Sequence, residues 1–315
     1  MHSHGLPVLA TLFIWWFSTG AILYLDGLPK KTFRWSMLGA SVVAALAAYG
    51  LVVTKQDVSI ESAYIAFASA VLLWGWNEIS FLLGHITGPR RTPCPPDARG
   101  LARFFFASQS IIYHELLIAA SALGIAALTA GGANRVGLYT FLILWLMRLS
   151  TKLNIFFGVP NITIEFLPAH LGYLKSYFRI RPMNAFFPFS ATMATLLAGF
   201  LVREAVAAPP ESFAAISFTL LATLAVLGVV EHWFLVVPLP FGELWSWGLA
   251  SHKKPQHVAM PPDIGVLLEK TGFNREEGAQ ESASLVPHLA PDQGLTHQGP
   301  AKAWPRSVAY GGIVP

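Results

Sequence analysis

Nine strongly polar side chains interrupt stretches that are otherwise apolar: Asn77, Glu78, His114, Glu115, Arg148, Lys152, Asn154, Glu231 and His232. Their types support three kinds of chemistry. Carboxylates and imidazoles carried by separate helices could hold a metal pair, as in helical di-metal proteins. The candidate ligands are Glu78, His85, His114, Glu115, Glu231 and His232. Alternatively, His114 or His232 could be an axial ligand to the magnesium of a chlorophyll-type pigment or to a haem iron. In the third reading Arg148 and Lys152 neutralise Glu78, Glu115 and Glu231 in an internal ion-pair cluster. Spacing weighs against the metal pair, because soluble di-metal bundles use Glu-x-x-His, whereas here Glu115 follows His114 directly and His232 follows Glu231. The ten histidines contain no HxxxH or HxxHH cluster.

A charge left uncompensated at the centre of a membrane helix costs about 2.5–3.5 kcal/mol, so these groups must face a bundle interior and find partners. The composition calls for such a bundle. Of 315 residues, 54% are hydrophobic and 12% charged, and the charged share is about half that of an ordinary soluble domain. Seven segments reach the roughly 20 apolar residues that span a bilayer core. They cover about 6–25, 35–53, 63–87, 104–129, 136–157, 186–207 and 214–238. Glu78, His114, Arg148 and Glu231 lie seven to ten residues from the same end of their spans. At 1.5 Å per residue that places all four at one level, roughly 10–15 Å deep. His85, seven residues beyond Glu78, is expected on the same face of the third helix.

Sixteen Lys and Arg fall on one side of these spans, three on the other and two, Arg148 and Lys152, within a span. The alternation at every crossing follows the positive-inside rule and predicts a periplasmic N-terminus and a cytoplasmic C-terminus. The basic residues are divided among connections rather than gathered into a patch, so no nucleic-acid partner is expected. The flank MHSHG has no Lys or Arg, so the first span is expected to be retained rather than cleaved. Cys94 is the single cysteine, which excludes an internal disulfide, and no Cys/His spacing suggests zinc.

The predicted organisation is all-α: a transmembrane domain over 1–250, then a mostly disordered cytoplasmic tail over 251–315 that is rich in Pro, Gly, Gln and Ser. Residues 158–185 form a long basic connection mixing Leu, Tyr and Phe with Lys and Arg. Such a segment is expected to lie in the headgroup plane, with Asn161, Glu165, His170, Arg179 and Arg181 as its candidate functional residues. Trp245 and Trp247 follow the seventh span and suit an interfacial aromatic belt.

Several long stretches resemble one family: LFIWWFSTGAIL, LLWGWNEISFLLGHITGPRRTPCPP, IYHELLI, NRVGLYTFLILWLMRLSTKLNIFFGVPN, EFLPAHLGYLKSYFRIRPMN and EHWFLVVPLP. They are similar to the PuhE family, the photosynthetic complex assembly proteins of purple phototrophic bacteria, over about residues 8–248. The resemblance implies a multi-pass protein of the bacterial inner membrane that assists assembly of the reaction centre and light-harvesting complex, or modulates bacteriochlorophyll supply. It would act by binding complex subunits or bacteriochlorophyll, not by catalysis. The rival expectation is a membrane metalloenzyme acting on a tetrapyrrole or lipid through the ligand set above.

Overall fold

The computed structural model describes residues 2–162, 166–238 and 241–252. Of the tail expected to lack a fixed fold, 251–315, residues 251–252 are described and continue a 3-10 turn, and the rest lies outside the described residues. Among the described residues there is no strand, and seven helices are long and apolar enough to cross a membrane. They are α1 His2–Asp26, α2 Phe33–Thr54, α3 Ile60–Leu82, α4 Gly100–Leu128, α5 Val136–Phe157, α6 Phe186–Ala207 and α7 Phe213–Phe234. The polytopic helical bundle predicted from hydropathy is therefore present.

Local signals set the helix ends. The Ser59 and Ser212 hydroxyls accept the Ser62 and Ala215 amides at 3.2 and 3.1 Å, capping α3 and α7. Asn184 caps α6 by accepting the Phe186 and Phe187 amides at 2.9 and 3.0 Å. α3 stops five residues short of the predicted limit of 87, because Gly84 takes φ +79°. The Gly84 amide then bonds to the Phe81 carbonyl and the His85 amide to the Ser80 carbonyl, a Schellman ending that only a residue tolerant of positive φ permits. His85 is consequently off the helix and exposed, not on the Glu78 face. α4 begins four residues earlier than predicted, which draws Arg103 into the helix. Its guanidinium donates to the Phe156 carbonyl at 3.2 Å and to the Tyr177 carbonyl, satisfying an end carbonyl of α5. α7 ends at Phe234, ahead of the predicted 238.

α3 and α7 form the centre and bury more of their length than the others. Ala63, Ala66 and Ala70 line up on α3 and are at most 2% exposed. These small residues let α2 and α5 approach closely: a Cβ on Gly137 of α5 would sit 2.3 Å from Leu51 Cδ2. On α6, Ala191, Ala194, Ala198, Leu201 and Ala205 repeat at three and four residues and pack against α7. Large apolar residues such as Leu46, Leu123 and Leu196 are exposed on the outer faces, as a lipid solvent requires.

Two segments depart from expectation. The 158–185 connection contains a 3-10 helix, Ala169–Tyr177, whose repeat of three puts Leu171, Leu174 and Tyr177 on one face. That face is buried against Phe81 at the bundle end rather than laid into lipid headgroups. Trp245 is 1% exposed and belongs to a strap, 241–252, packed along α1, not to an aromatic belt. Its indole donates to the Trp16 carbonyl at 2.9 Å, while Trp16 donates to the Leu244 carbonyl at 2.8 Å. Gly20 and Gly248 meet backbone to backbone: a Cβ on Gly248 would lie 2.5 Å from the Gly20 carbonyl oxygen. No side chain fits at that crossing.

The strap ends on His252, whose Nε2 lies 2.7 Å from Asp26 Oδ1 and 2.9 Å from the Leu23 carbonyl. The hydrogen bond to Asp26 raises the His252 pKa above the ordinary imidazole value, against the opposing effect of burial. A group raised on folding contributes stability that is fully present below its unfolded pKa, about 6.5, and disappears as pH rises through the folded value. Amide-exchange protection over 241–252 is therefore expected to fall between mildly acidic and alkaline pH, and His252→Gln is expected to remove that dependence. Protection equal at both pH values in the native protein would contradict this role.

Candidate functional site

α5 carries Trp145, Arg148 and Lys152 at spacings of three and four, so all three share one face. That face meets α3, α4 and α7. Lys152 Nζ is 2.6 Å from Glu115 Oε1, and the Trp145 indole donates to the other Glu115 oxygen at 3.5 Å. One carboxylate on α4 is thus held by two groups from one helix face. Arg148 reaches α3 instead, with Nη2 3.6 Å from Glu78 Oε2. His114 Nε2 lies 3.7 Å from Glu78 Oε1. Both separations exceed hydrogen-bond length, so Glu78 is balanced by the nearby charge of Arg148 and not by a hydrogen bond. Glu78 Oε1 and both His114 ring nitrogens are buried with no hydrogen-bond partner among the described residues.

Among the described residues no cation pairs directly with Glu231. Its Oε1 accepts the Trp15 indole N–H of α1 at 3.0 Å, and Arg148 is near enough to act on it electrostatically. Five helices therefore contribute to one layer: α1 through Trp15, α3 through Glu78, α4 through His114 and Glu115, α5 through its cations, and α7 through Glu231. Reading the chain for polar groups misses Trp15 and Trp145 as carboxylate donors. Tryptophan is abundant here, and the partner of each lies far off in the chain.

His232 and Asn154 form a second group, separate from the charges. His232 Nδ1 is 2.7 Å from the Gly228 carbonyl, which can only accept, so Nδ1 carries the proton and Nε2 accepts the Ser150 hydroxyl at 2.8 Å. Both ring nitrogens are used. Asn154 donates to the Ser150 carbonyl at 3.1 Å and the Ser190 hydroxyl at 2.9 Å, and Asn184 donates to Asn154 Oδ1 at 3.2 Å. These contacts tie α5, α6 and α7 together. Asn77 is equally satisfied, between the Leu73 carbonyl at 2.8 Å and Ser121 at 3.2 Å.

The remaining candidates lie at the bundle end. Asn161 donates its backbone N–H to the Leu235 carbonyl at 3.2 Å and its side-chain amide to the Phe234 carbonyl at 3.4 Å. His170 Nε2 donates to the Leu82 carbonyl at 2.8 Å. Arg179 and Arg181 bracket a short bridge between Val159 and Ile180 through their backbones, and the Arg181 stem lies against Gly158. Glu165 lies outside the described residues.

The donor set does not fit a metal pair: among the described residues no three His, Cys, Asp or Glu side chains are grouped to hold one ion. For axial ligation of a macrocycle the two histidines differ. His232 has no free nitrogen, and His114 is 0% exposed with its ring 4.5 Å from that of Phe81. What the arrangement does is balance charge across helices that cannot otherwise carry it.

A family model described as a protein of unknown function, DUF3623, matches residues 1–256. The chain belongs to the DUF3623 family. A relative from Rhodobacter capsulatus, named as an uncharacterized 30.4 kDa protein in the puhA 5′ region, is 38% identical over 269 residues, covering 84% of this chain and 98% of that protein. Its place beside puhA agrees with the resemblance to the PuhE family, to which this DUF3623 chain is assigned. No solved structure is significantly similar to it. The matched span of DUF3623 includes every helix among the described residues and the strap, so the charged layer, with the Trp15 contact from α1, belongs to the family domain.

Proposed function

We propose that this protein is an assembly factor for the bacterial photosynthetic complex, resident in the inner membrane with its N-terminus in the periplasm and its C-terminus in the cytoplasm, and that it works by holding a transmembrane helix of a complex subunit. The relative named for the puhA 5′ region supports the setting, and the distribution of Lys and Arg supports the orientation. The observation that carries the mode of action is a groove of about 330 Å³ between α2, α3 and α4. Ala44, Ala45, Ala48 and Gly124 floor it, and such small residues let a second helix backbone come close. Its polar atoms are already engaged: Ser41 accepts the Trp76 indole at 3.0 Å, and Ser121 donates to Asn77. An apolar helix is the occupant that such a surface favours.

Gly124 gives a clean test, because a Cβ built on it meets nothing within 4 Å. Gly124→Leu is expected to fill the groove from a position where the first added carbon touches no neighbour. An overpacked contact costs about 1–3 kcal/mol, so recovery of reaction-centre or light-harvesting subunits with the purified protein is expected to fall about tenfold at unchanged melting temperature. Equal recovery from both proteins in mild detergent would rule out the groove. Absorption and metal analysis of the same preparations test the rival reading, which stoichiometric iron or manganese lost on His114→Ala would favour.

A further inference from the structure

At the basic end of the bundle, three connections that are distant in sequence close around a pocket of about 270 Å³. Lys30 comes from the α1–α2 turn, Arg91 and Thr87 from the α3–α4 connection, and His170 and Tyr173 from the 3-10 helix. Among the described residues no Asp or Glu lines it. Among the described residues neither Lys30 nor Arg91 has an ion-pair or hydrogen-bond partner through its side chain, and both are exposed. Thr87 is 1% exposed, yet its hydroxyl has no hydrogen-bond partner, and the buried Tyr173 hydroxyl is in the same condition.

Buried hydroxyls without partners are rare in folded proteins and call for an explanation. Two free cations and two free hydroxyl donors around one cavity define an oxyanion receptor: the cations supply charge and the hydroxyls supply direction. A carboxylate presents two oxygens in one plane, whereas a phosphate presents several in a tetrahedron and suits donors arriving from three separate connections. Phe33 and Leu83 form an apolar wall beside the charges. That combination fits an amphiphile whose phosphate sits among the cations while its chain runs along the bundle.

We propose that this pocket binds a phosphate group, presented by the headgroup of an anionic phospholipid in the leaflet at that end of the bundle. His170 fits such a role as wall and support. Its Nε2–H is committed to the Leu82 carbonyl, and Gly84 leaves room for the ring, since a Cβ there would lie 3.0 Å from it. Burial lowers the His170 pKa, and nearby Lys30 and His85 lower it further against the Leu82 hydrogen bond. The fixed positive charge of the pocket therefore rests on Lys30 and Arg91.

The test uses the full-length protein in neutral detergent, titrated separately with phosphatidylglycerol, phosphatidylcholine and inorganic phosphate, with melting temperature and native mass spectrometry as readouts. Phosphatidylglycerol is expected to raise the melting temperature and to remain bound, and phosphatidylcholine to do neither. In Lys30→Gln/Arg91→Gln the phosphatidylglycerol needed for half the effect is expected to rise about tenfold or more, each basic residue near an anionic headgroup being worth about fivefold. Tyr173→Phe, which keeps both cations, is expected to show a smaller loss and serves if the double variant does not fold. A shift from inorganic phosphate alone that the double variant abolishes would support the phosphate site while assigning it to a soluble ester. Equal effects of the two lipids with none from phosphate, or a double variant indistinguishable from the native protein, would overturn the proposal.

Discussion

Gly88→Ala is expected to abolish the folded protein in detergent. Gly88 lies in the connection after α3, where a Cβ would sit 2.1 Å from the Gln109 carbonyl oxygen, 2.6 Å from the Ser110 carbonyl carbon and 2.8 Å from the Ile111 amide nitrogen. All three are backbone atoms of α4, so no rotamer change can make room. The contact is held on both sides, since the His114 amide donates to the Thr87 carbonyl at 3.0 Å and the Arg90 amide to the Gln109 carbonyl at 3.3 Å. A methyl there must push the connection off α4 and break both bonds, at a cost of about 4 kcal/mol or more, in the range reserved for severe core disruption. Loss of the monodisperse species in size-exclusion chromatography is the measurement. Gly199→Ala in α6 is the control: a Cβ there meets nothing within 4 Å, so the change should be neutral or stabilising by up to about 1 kcal/mol. A Gly88→Ala protein as stable as the native one would mean that the connection does not lie on the α4 backbone.

Glu78→Leu is expected to lower the melting temperature by about 10 °C, and Glu78→Leu/Arg148→Leu to recover most of the loss. Removing the carboxylate leaves Arg148 in the hydrocarbon without its 3.6 Å counter-ion. An uncompensated charge at that depth costs about 2.5–3.5 kcal/mol, and each kcal/mol shifts the midpoint by about 2–4 °C in a chain of this class. Arg148 also acts on Glu231, so the rescue is expected to stop short of complete, with Glu231 then held by Trp15 alone. A single variant as stable as the native protein would show that Arg148 answers to Glu231, and that Glu78 is not its counter-ion.

Part of this architecture is legible in the residues. Seven spans, their approximate limits and the shared depth of Glu78, His114, Arg148 and Glu231 can be counted, because hydropathy, length and rise per residue are properties of one segment at a time. The premature end of α3 is legible too, for Gly84 follows the last apolar residues as a stop signal; hydropathy alone passes over it and misplaces His85. The partners are another matter. Glu231 and Trp15 are 216 residues apart, and nothing local to either names the other.

A seven-helix membrane bundle with acids, bases and imidazoles at one level follows from the residues read in order, since each of those facts rests on the solvent preference of a contiguous stretch. Only the packed bundle settles that Lys152 takes Glu115 while Arg148 takes Glu78, that His232 is saturated by Ser150 and Gly228, and that Lys30, Arg91 and Tyr173 surround one pocket. Those choices depend on how each helix is rotated and which neighbour it meets. Rotation and order are settled by small residues such as Ala66, Gly88 and Gly137 permitting close approach in one arrangement, a collective outcome of packing that no single segment encodes.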